Sequence, residues 1–223
     1  MLYRVETDLA TGYLLSEQIE KLNNYTGALD LVIDVGAHQG TFALCAVERG
    51  AKRVVAIEPD PDNYDLLVEN ITTNEMEGCI KPLRAAAWVD SFCELTLRAP
   101  TMSGVNSGQR SLVFKDTFPG IPVVSVDLWA LLKELGYVDY LKMDIEGGEW
   151  ALLADPRARQ ALRAVGYVNI EAHPLSNTNY FSGDIGMPID AALDLLDSIF
   201  DIEDVGAPEA PVWRGYARGS ART

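Results

Sequence analysis

The chain has 223 residues, 48% of them hydrophobic, and a formal net charge of −15. That length and apolar content suit one α/β domain with a sizeable core. The acidic balance opposes a nucleic-acid partner, which would need clustered Lys and Arg to displace counterions from phosphates. The first residues show no charged-then-apolar leader, and no apolar run approaches the ~20 residues of a membrane span, so a cytoplasmic protein without a membrane partner is expected. Cys45, Cys79 and Cys93 are widely spaced, form no C-x-x-C pair and read as reduced packing residues.

In chain order, residues 1–28 read as an N-terminal helical cap. Leu14, Leu15, Ile19 and Leu22 fall at helical spacing within 9–25, with Glu17, Gln18, Glu20 and Lys21 opposite them. Such a helix packs either across the mouth of a site or against the sheet edge. The run LVIDVGAHQG over 31–40 then reads as a doubly buried strand ending on Asp34, a turn through Gly36, Ala37 and His38, and a helix starting after Gly40. The dinucleotide fingerprint would need glycine at position 38, which is His38, and this argues against NAD. Arg53 to Ile57 form a second strand that ends on Glu58, placed to accept hydrogen bonds from both ribose hydroxyls; Pro59 follows, and Asp60-Pro61 opens the next helix.

Residues 80–88 (IKPLRAAAW) read as the third strand and 92–98 (FCELTLR) as a strand of a β-ribbon. The polar stretch 99–111 reads as a binding loop in which Asn106, Arg110 and Ser111 are candidate substrate contacts. IPVVSV leads to a short helix capped by Ser125 or Asp127 and ended by Gly136. The strand Tyr140 to Met143 closes on Asp144, and Gly147-Gly148 turn the chain into a helix. Lys142, inside that strand, needs a partner, for which Glu146, Glu149 and Glu171 are candidates. The next strand ends on Glu171 and His173, two apart and therefore on one side. Asp190, Asp194, Asp197 and Asp201 recur at helical spacing and read as a solvated helix face; residues 213–223 read as a basic tail.

Three of these stretches, VIDVGAHQG, AIEPDPDNYDLLVENI and DYLKMDIEGGEWALL, resemble the FkbM family of S-adenosylmethionine-dependent methyltransferases over roughly residues 28–173. The most specific is Lys142-Met143-Asp144-Ile145-Glu146-Gly147-Gly148-Glu149, and His38 departs from the asparagine usual in the family. The resemblance implies the class I methyltransferase form of the doubly wound fold, with a mainly parallel seven-stranded sheet and helices on both faces. It implies S-adenosylmethionine as cofactor, held by Asp34, Gly36, Ala37, His38, Gly40, Glu58, Pro59 and Asp144, with adenine beside Ala86 and Ala87. It implies methylation, most often at a hydroxyl of a small molecule such as a sugar or natural-product scaffold. The catalytic candidates are His173, Asp144, Glu171 and Lys142. His173 has the ordinary pKa best suited to a base near neutral pH, Asp144 rivals it, and positioning alone is the third possibility. Asp144 and Glu171 would admit Mg²⁺, but two strand-end carboxylates are not a coordination set and no metal ligands are assigned. Two competing readings are a nucleotide-cofactor α/β oxidoreductase and a non-catalytic nucleoside-binding subunit of the same fold.

Overall fold

The structure is a computed structural model, and it describes residues 18–99, 110–173, 188–206 and 211–219. After a helical segment, α1, over 18–23, the chain alternates strand and helix: β1 Leu31–Val35, α2 Thr41–Glu48, β2 Arg53–Ile57, α3 Pro61–Thr73 and β3 Ile80–Leu83. Three further strands follow, β4 Ala86–Trp88, β5 Glu94–Arg98 and β6 Gly120–Asp127, and then α4 Leu128–Leu135 and β7 Val138–Met143. The chain continues through α5 Glu149–Ala154, α6 Ala158–Leu162, β8 Val165–Glu171, α7 Ile189–Asp197, β9 Phe200–Asp204 and β10 Val212–Ala217.

The main sheet has seven strands in the order β3-β2-β1-β7-β8-β10-β9. β3, β2, β1, β7 and β8 are parallel, while β10 runs antiparallel between β8 and β9. The chain winds outward from β1 to β3 and then back to β7 and β8, so strand order reverses between β1 and β7. In open α/β sheets this reversal opens a crevice at the carboxyl ends of the strands, where ligands bind. All five residues of β1 are buried, as a strand covered on both faces requires.

Strand alternation divides the core into two layers. Ile33, Val35, Leu141, Met143, Val168 and Ile170 face Trp129, Leu132, Trp150, Leu153 and Leu196 from α4, α5 and α7. On the other side Val32, Val54, Ala56, Tyr140 and Tyr167 face Phe42 and Leu44 of α2, Leu67 and Ile71 of α3, and Leu22 of α1. The helix termini follow from local chemistry. Asp60 caps α3 by accepting from the amides of Asp62 and Asn63, ahead of Pro61. Of the two caps weighed for α4, the structure uses Asp127, which accepts from Ala130 N, and Gly136 ends the helix.

Several expectations change. Residues 80–88 are two strands, not one: the chain turns at Ala85, whose amide donates to Leu83 O, and β4 leaves for a second sheet of order β4-β6-β5. The aspartate stripe stops at Asp197, because Phe200 and Ile202 alternate with Asp201 and Glu203 in β9. The basic tail begins as β10 instead. Trp213 is buried on one face while Arg214 and Tyr216 lie on the other, and at Gly215 a Cβ would stand 2.4 Å from Asp201 O. The alternation of Trp213 to Ala217, rather than its charge, decides its fate. Cys93 is exposed, not packed. No described helix is long and apolar enough to cross a membrane.

Candidate active site

The turn after β1 is shaped by how closely β1 approaches β7. Asp144 N donates to Val35 O at 3.1 Å, and a Cβ at Gly36, whose φ is +78°, would lie 1.9 Å from Asp144 O. Only glycine fits there. The amides of Gly36 and Ala37 both donate to Ile57 O, which ties the turn to β2. Gly40 begins α2 at φ +87° with its Cα side against Leu67, and Asn70 of α3 donates to Gln39 O at 2.8 Å.

Glu58, at the end of β2, is 5% exposed and accepts from His38 N at 2.7 Å and from Asp60 N at 2.8 Å. A carboxylate has about four acceptor positions, so two remain. Burial, opposed by those two amides, pushes its pKa up to about 7. His38 itself has φ +51°, and burial lowers its pKa; its Nε2 is buried with no hydrogen-bond partner among the described residues. Pro59 is half-buried beside Glu58, while Ala86 and Ala87 are buried in apolar packing at the start of the second sheet.

Lys142 answers the question of its partner differently from any of the three carboxylates proposed. Asp34 and Lys142 are register neighbours across β1 and β7, so both point the same way. Lys142 Nζ lies 3.2 Å from Asp34 Oδ1 and 3.6 Å from Asp144 Oδ2, and donates to Gly36 O at 2.8 Å. Burial raises the pKa of Asp34 against the pull of Lys142. For Lys142, burial works downward, but Asp34 and Asp144 prevail and hold its pKa above the usual lysine range.

Asp144, Glu171 and His173 come together at the ends of β7 and β8, joined by residues that the strand pattern alone did not bring in. Lys21 of α1 reaches across the edge, its Nζ 3.4 Å from Asp144 Oδ2 and 3.1 Å from Glu171 Oε2. Burial would raise the Asp144 carboxyl, but Lys142 and Lys21 hold it well below the ordinary carboxylate range. His173 Nδ1 lies 3.3 Å from Glu149 Oε1, and its Nε2 faces Glu146 Oε2 at 3.6 Å, Glu171 Oε1 at 3.8 Å and Asp144 Oδ1 at 4.0 Å. Burial alone would lower the imidazole pKa; the hydrogen bond and charge of Glu149, with Glu146 and Asp144, overcome it and push it up to about 10. A histidine that keeps its proton at neutral pH is not free to accept another.

The D-x-E-G-G-E turn builds this arrangement. Glu149 is fully buried at the start of α5 and accepts from Ile145 N at 2.7 Å and Gly147 N at 2.8 Å. This fixes Glu146 at φ +56°, a left-handed conformation uncommon outside glycine. Trp150 Nε1 donates to His173 O at 2.6 Å and so holds the end of β8. Of the loop candidates, Ser111 donates through Oγ to Glu146 O at 2.6 Å and Arg110 Nε lies 2.6 Å from Asp60 Oδ2, whereas Asn106 lies outside the described residues. Glu149 was weighed only as a partner for Lys142, and the reach of Lys21 over 150 residues of sequence to Glu171 had no local signal.

The sheet order, the glycine turn at the reversal point and the buried acid ending β2 define a class I methyltransferase fold that binds S-adenosylmethionine. The chain belongs to the methyltransferase FkbM domain family, which matches residues 34–198. Among curated proteins it is 29% identical over 145 residues to the hexuronic acid methyltransferase AglP of Haloferax volcanii, covering 65% of this chain and 56% of that one. A shorter match, 42% over 50 residues, links 22% of the chain to 16% of the ribosomal protein L11 methyltransferase of Sorangium cellulosum. The chain thus spans about half or less of the length of these relatives. In solved structures, the fold is shared with a putative rRNA methylase from Clostridium thermocellum, at TM-score 0.54, 8% identity and coverage of 93% and 97% of the two chains. It is also shared with the N-terminal domain of EvdMO1 with S-adenosylhomocysteine bound, at TM-score 0.52, 11% identity and coverage of 97% and 90%. The site's residues fit the cofactor: Glu58 keeps acceptor capacity for two ribose hydroxyls, and the orphaned His38 Nε2 lies in the turn between Gly36 and Gly40.

Proposed function

We propose that the chain methylates a hydroxyl oxygen of a small polyhydroxylated molecule, a sugar or a sugar acid before a natural-product scaffold. The observation that carries this reading is the carboxylate group at the ends of β7 and β8, Asp144 and Glu171, beside the cofactor turn and bridged by Lys21. Carboxylates accept from hydroxyl groups and orient them, a chain of net charge −15 disfavours a polyphosphate backbone, and the Lys21 ammonium at this edge can offset the single charge of a sugar acid. The Haloferax relative, a hexuronic acid methyltransferase, supports the same class of acceptor.

When bound, S-adenosylmethionine supplies a methyl carbon on a positively charged sulfur that is its own leaving group, so the protein's task is chiefly alignment. Glu58 would hold the ribose, and Asp34 with the backbone from Gly36 to Gly40 the polar end of the donor. Asp144, fixed by Lys142 and Lys21, would orient the acceptor hydroxyl. Glu171, whose Oε1 is turned away from Lys21, would accept the proton that the acceptor hydroxyl gives up on methylation. His173, held through Nδ1 by Glu149 and raised in pKa by its carboxylate neighbours, would position these carboxylates rather than act as the base.

The test is transfer of labelled methyl groups to a panel of neutral sugars, uronic acids, hydroxylated natural products and RNA oligonucleotides. Labelling of the sugars or uronic acids, abolished by Glu171→Gln with S-adenosylhomocysteine binding retained, is expected. Labelling of RNA in preference to every small hydroxylated acceptor refutes the reading.

A further inference from the structure

The surroundings of His173 Nε2 differ from those of an ordinary histidine–carboxylate pair. An ion pair closes on one oxygen at hydrogen-bond distance, about 2.7–3.2 Å. Nε2 instead faces carboxylate oxygens of three residues, Glu146 at 3.6 Å, Glu171 at 3.8 Å and Asp144 at 4.0 Å, and closes on none of them. These separations are too long for hydrogen bonds and near the ~3.0–4.2 Å that separates ligands sharing a small divalent cation with bonds of ~2.1 Å, so modest side-chain adjustment would bring the donors onto one ion. One donor atom each from Asp144, Glu146 and His173 lies within 4.8 Å of the others.

The other side of the imidazole is arranged to match. Glu149 Oε1 faces Nδ1 at 3.3 Å, and Glu149 is itself locked by the amides of Ile145 and Gly147. A buried carboxylate on the far nitrogen fixes ring orientation and directs the Nε2 lone pair, as in carboxylate–histidine–metal arrangements. Asp144 is divided in the same sense: Lys21 and Lys142 both approach Oδ2, which leaves Oδ1 on the His173 side. Charge agrees in sign with geometry. Five carboxylates, Asp34, Asp144, Glu146, Glu149 and Glu171, crowd this end of the cleft against the ammonium groups of Lys21 and Lys142 and the His173 imidazole, an acidic excess that favours a cation.

We propose that Asp144, Glu146 and His173 form a site for one divalent cation at the acceptor side of the cleft, with Glu149 orienting the imidazole. Two carboxylates and one imidazole are a hard, oxygen-rich set with one borderline ligand, which suits Mn²⁺ better than Mg²⁺ or Ca²⁺. Binding exchanges the Nε2 proton for the cation. For its role the inference rests on the hydroxyl-methylation reading. The cation would hold the acceptor oxygen and stabilise the charge developing there as Glu171 takes the proton.

The experiment titrates MnCl₂ into the protein saturated with S-adenosylhomocysteine and follows loss of the free Mn²⁺ electron paramagnetic resonance signal. One Mn²⁺ per chain is expected, with stoichiometric binding lost in Glu146→Gln and in His173→Gln, which each remove a direct ligand. Retained S-adenosylhomocysteine binding shows that each variant is folded. Absence of stoichiometric Mn²⁺ binding by the wild-type protein, or variants that bind it unchanged, overturns the site. Mn²⁺ bound in this pattern without methylation of any hydroxyl acceptor supports the site and refutes the hydroxyl reading alone. Turnover undiminished in chelator-treated protein overturns the cation's role.

Discussion

Glu58 is the residue at which cofactor affinity, fold stability and pH meet. With two oxygens already accepting from His38 N and Asp60 N, its remaining acceptor positions would serve the ribose in the proposed reading. Two charge-assisted hydrogen bonds at roughly 1.5 kcal/mol each amount to about 3 kcal/mol, roughly a hundredfold in affinity. Glu58→Ala should therefore weaken S-adenosylhomocysteine binding by about that factor. The charge that binds the ribose also burdens the ligand-free fold. With the folded pKa pushed up to about 7 from an ordinary value near 4.5, the ionised form destabilises the protein by about 3–4 kcal/mol at high pH. The signs are opposite for the two properties. The folded state holds the proton more tightly than the unfolded state, so this group's stabilising share is full below the unfolded pKa and is lost as pH rises through about 7. Cofactor affinity needs the carboxylate, so it rises with pH toward a plateau above about 7 and falls by up to about tenfold per pH unit below it. Titration calorimetry between pH 6 and 8.5, in buffers of different ionisation enthalpy, would show proton release on binding that fades at the upper end. Flat affinity without proton release, or a folded Glu58→Ala that binds like wild type, refutes the reasoning.

Other perturbations separate packing from charge. Lys142→Met strips the ammonium from buried Asp34 and should destabilise by about 3–5 kcal/mol, the usual cost of breaking a buried pair, read as a lowered urea midpoint; a loss under about 1 kcal/mol would show that the pair is not structural. Gly36→Ala must place a Cβ 1.9 Å from Asp144 O at φ +78°, so the strand ends must part, and loss of both thermal stability and S-adenosylhomocysteine binding is expected. Unchanged binding by that variant would mean that the turn relaxes without disturbing the site.

The strand, turn and acid assigned to the cofactor were legible as structure because their geometry is local. A buried strand, a glycine where strands crowd, and an acid ending the next strand leave their marks within about twenty residues. The acceptor half was legible only in part. Asp144, Glu171 and His173 could be placed at neighbouring strand ends by order and alternation. The partner of Lys142 could not, because it depends on the register that sets Asp34 opposite Lys142, and a one-residue slip would have offered other neighbours. Lys21 was assigned to a polar helix face, yet it is 7% exposed, since the helix lies where its ammonium meets Asp144 and Glu171. Of the three alternatives left open for the proton, His173 as base is disfavoured for a related reason. An unperturbed pKa is a statement about water, and His173 sits among carboxylates brought from two separate strand ends and the turn between them.

Lys142 then acquires a meaning beyond neutralising a neighbour. Its ammonium touches Gly36 O on the cofactor turn, Asp34 beneath that turn and Asp144 on the acceptor side. A buried charge shared among such partners cannot move toward one without weakening its hold on the others, and low local dielectric magnifies the exchange. Charge arriving beside Asp144, whether an acceptor or a cation, would draw on the same ammonium that fixes the turn from Val35 to Ala37. The two halves of the cleft are therefore joined electrostatically through one side chain at the point where strand order reverses. An acid in either half leaves the other with an altered share of Lys142, which a sheet of purely apolar strand ends could not transmit.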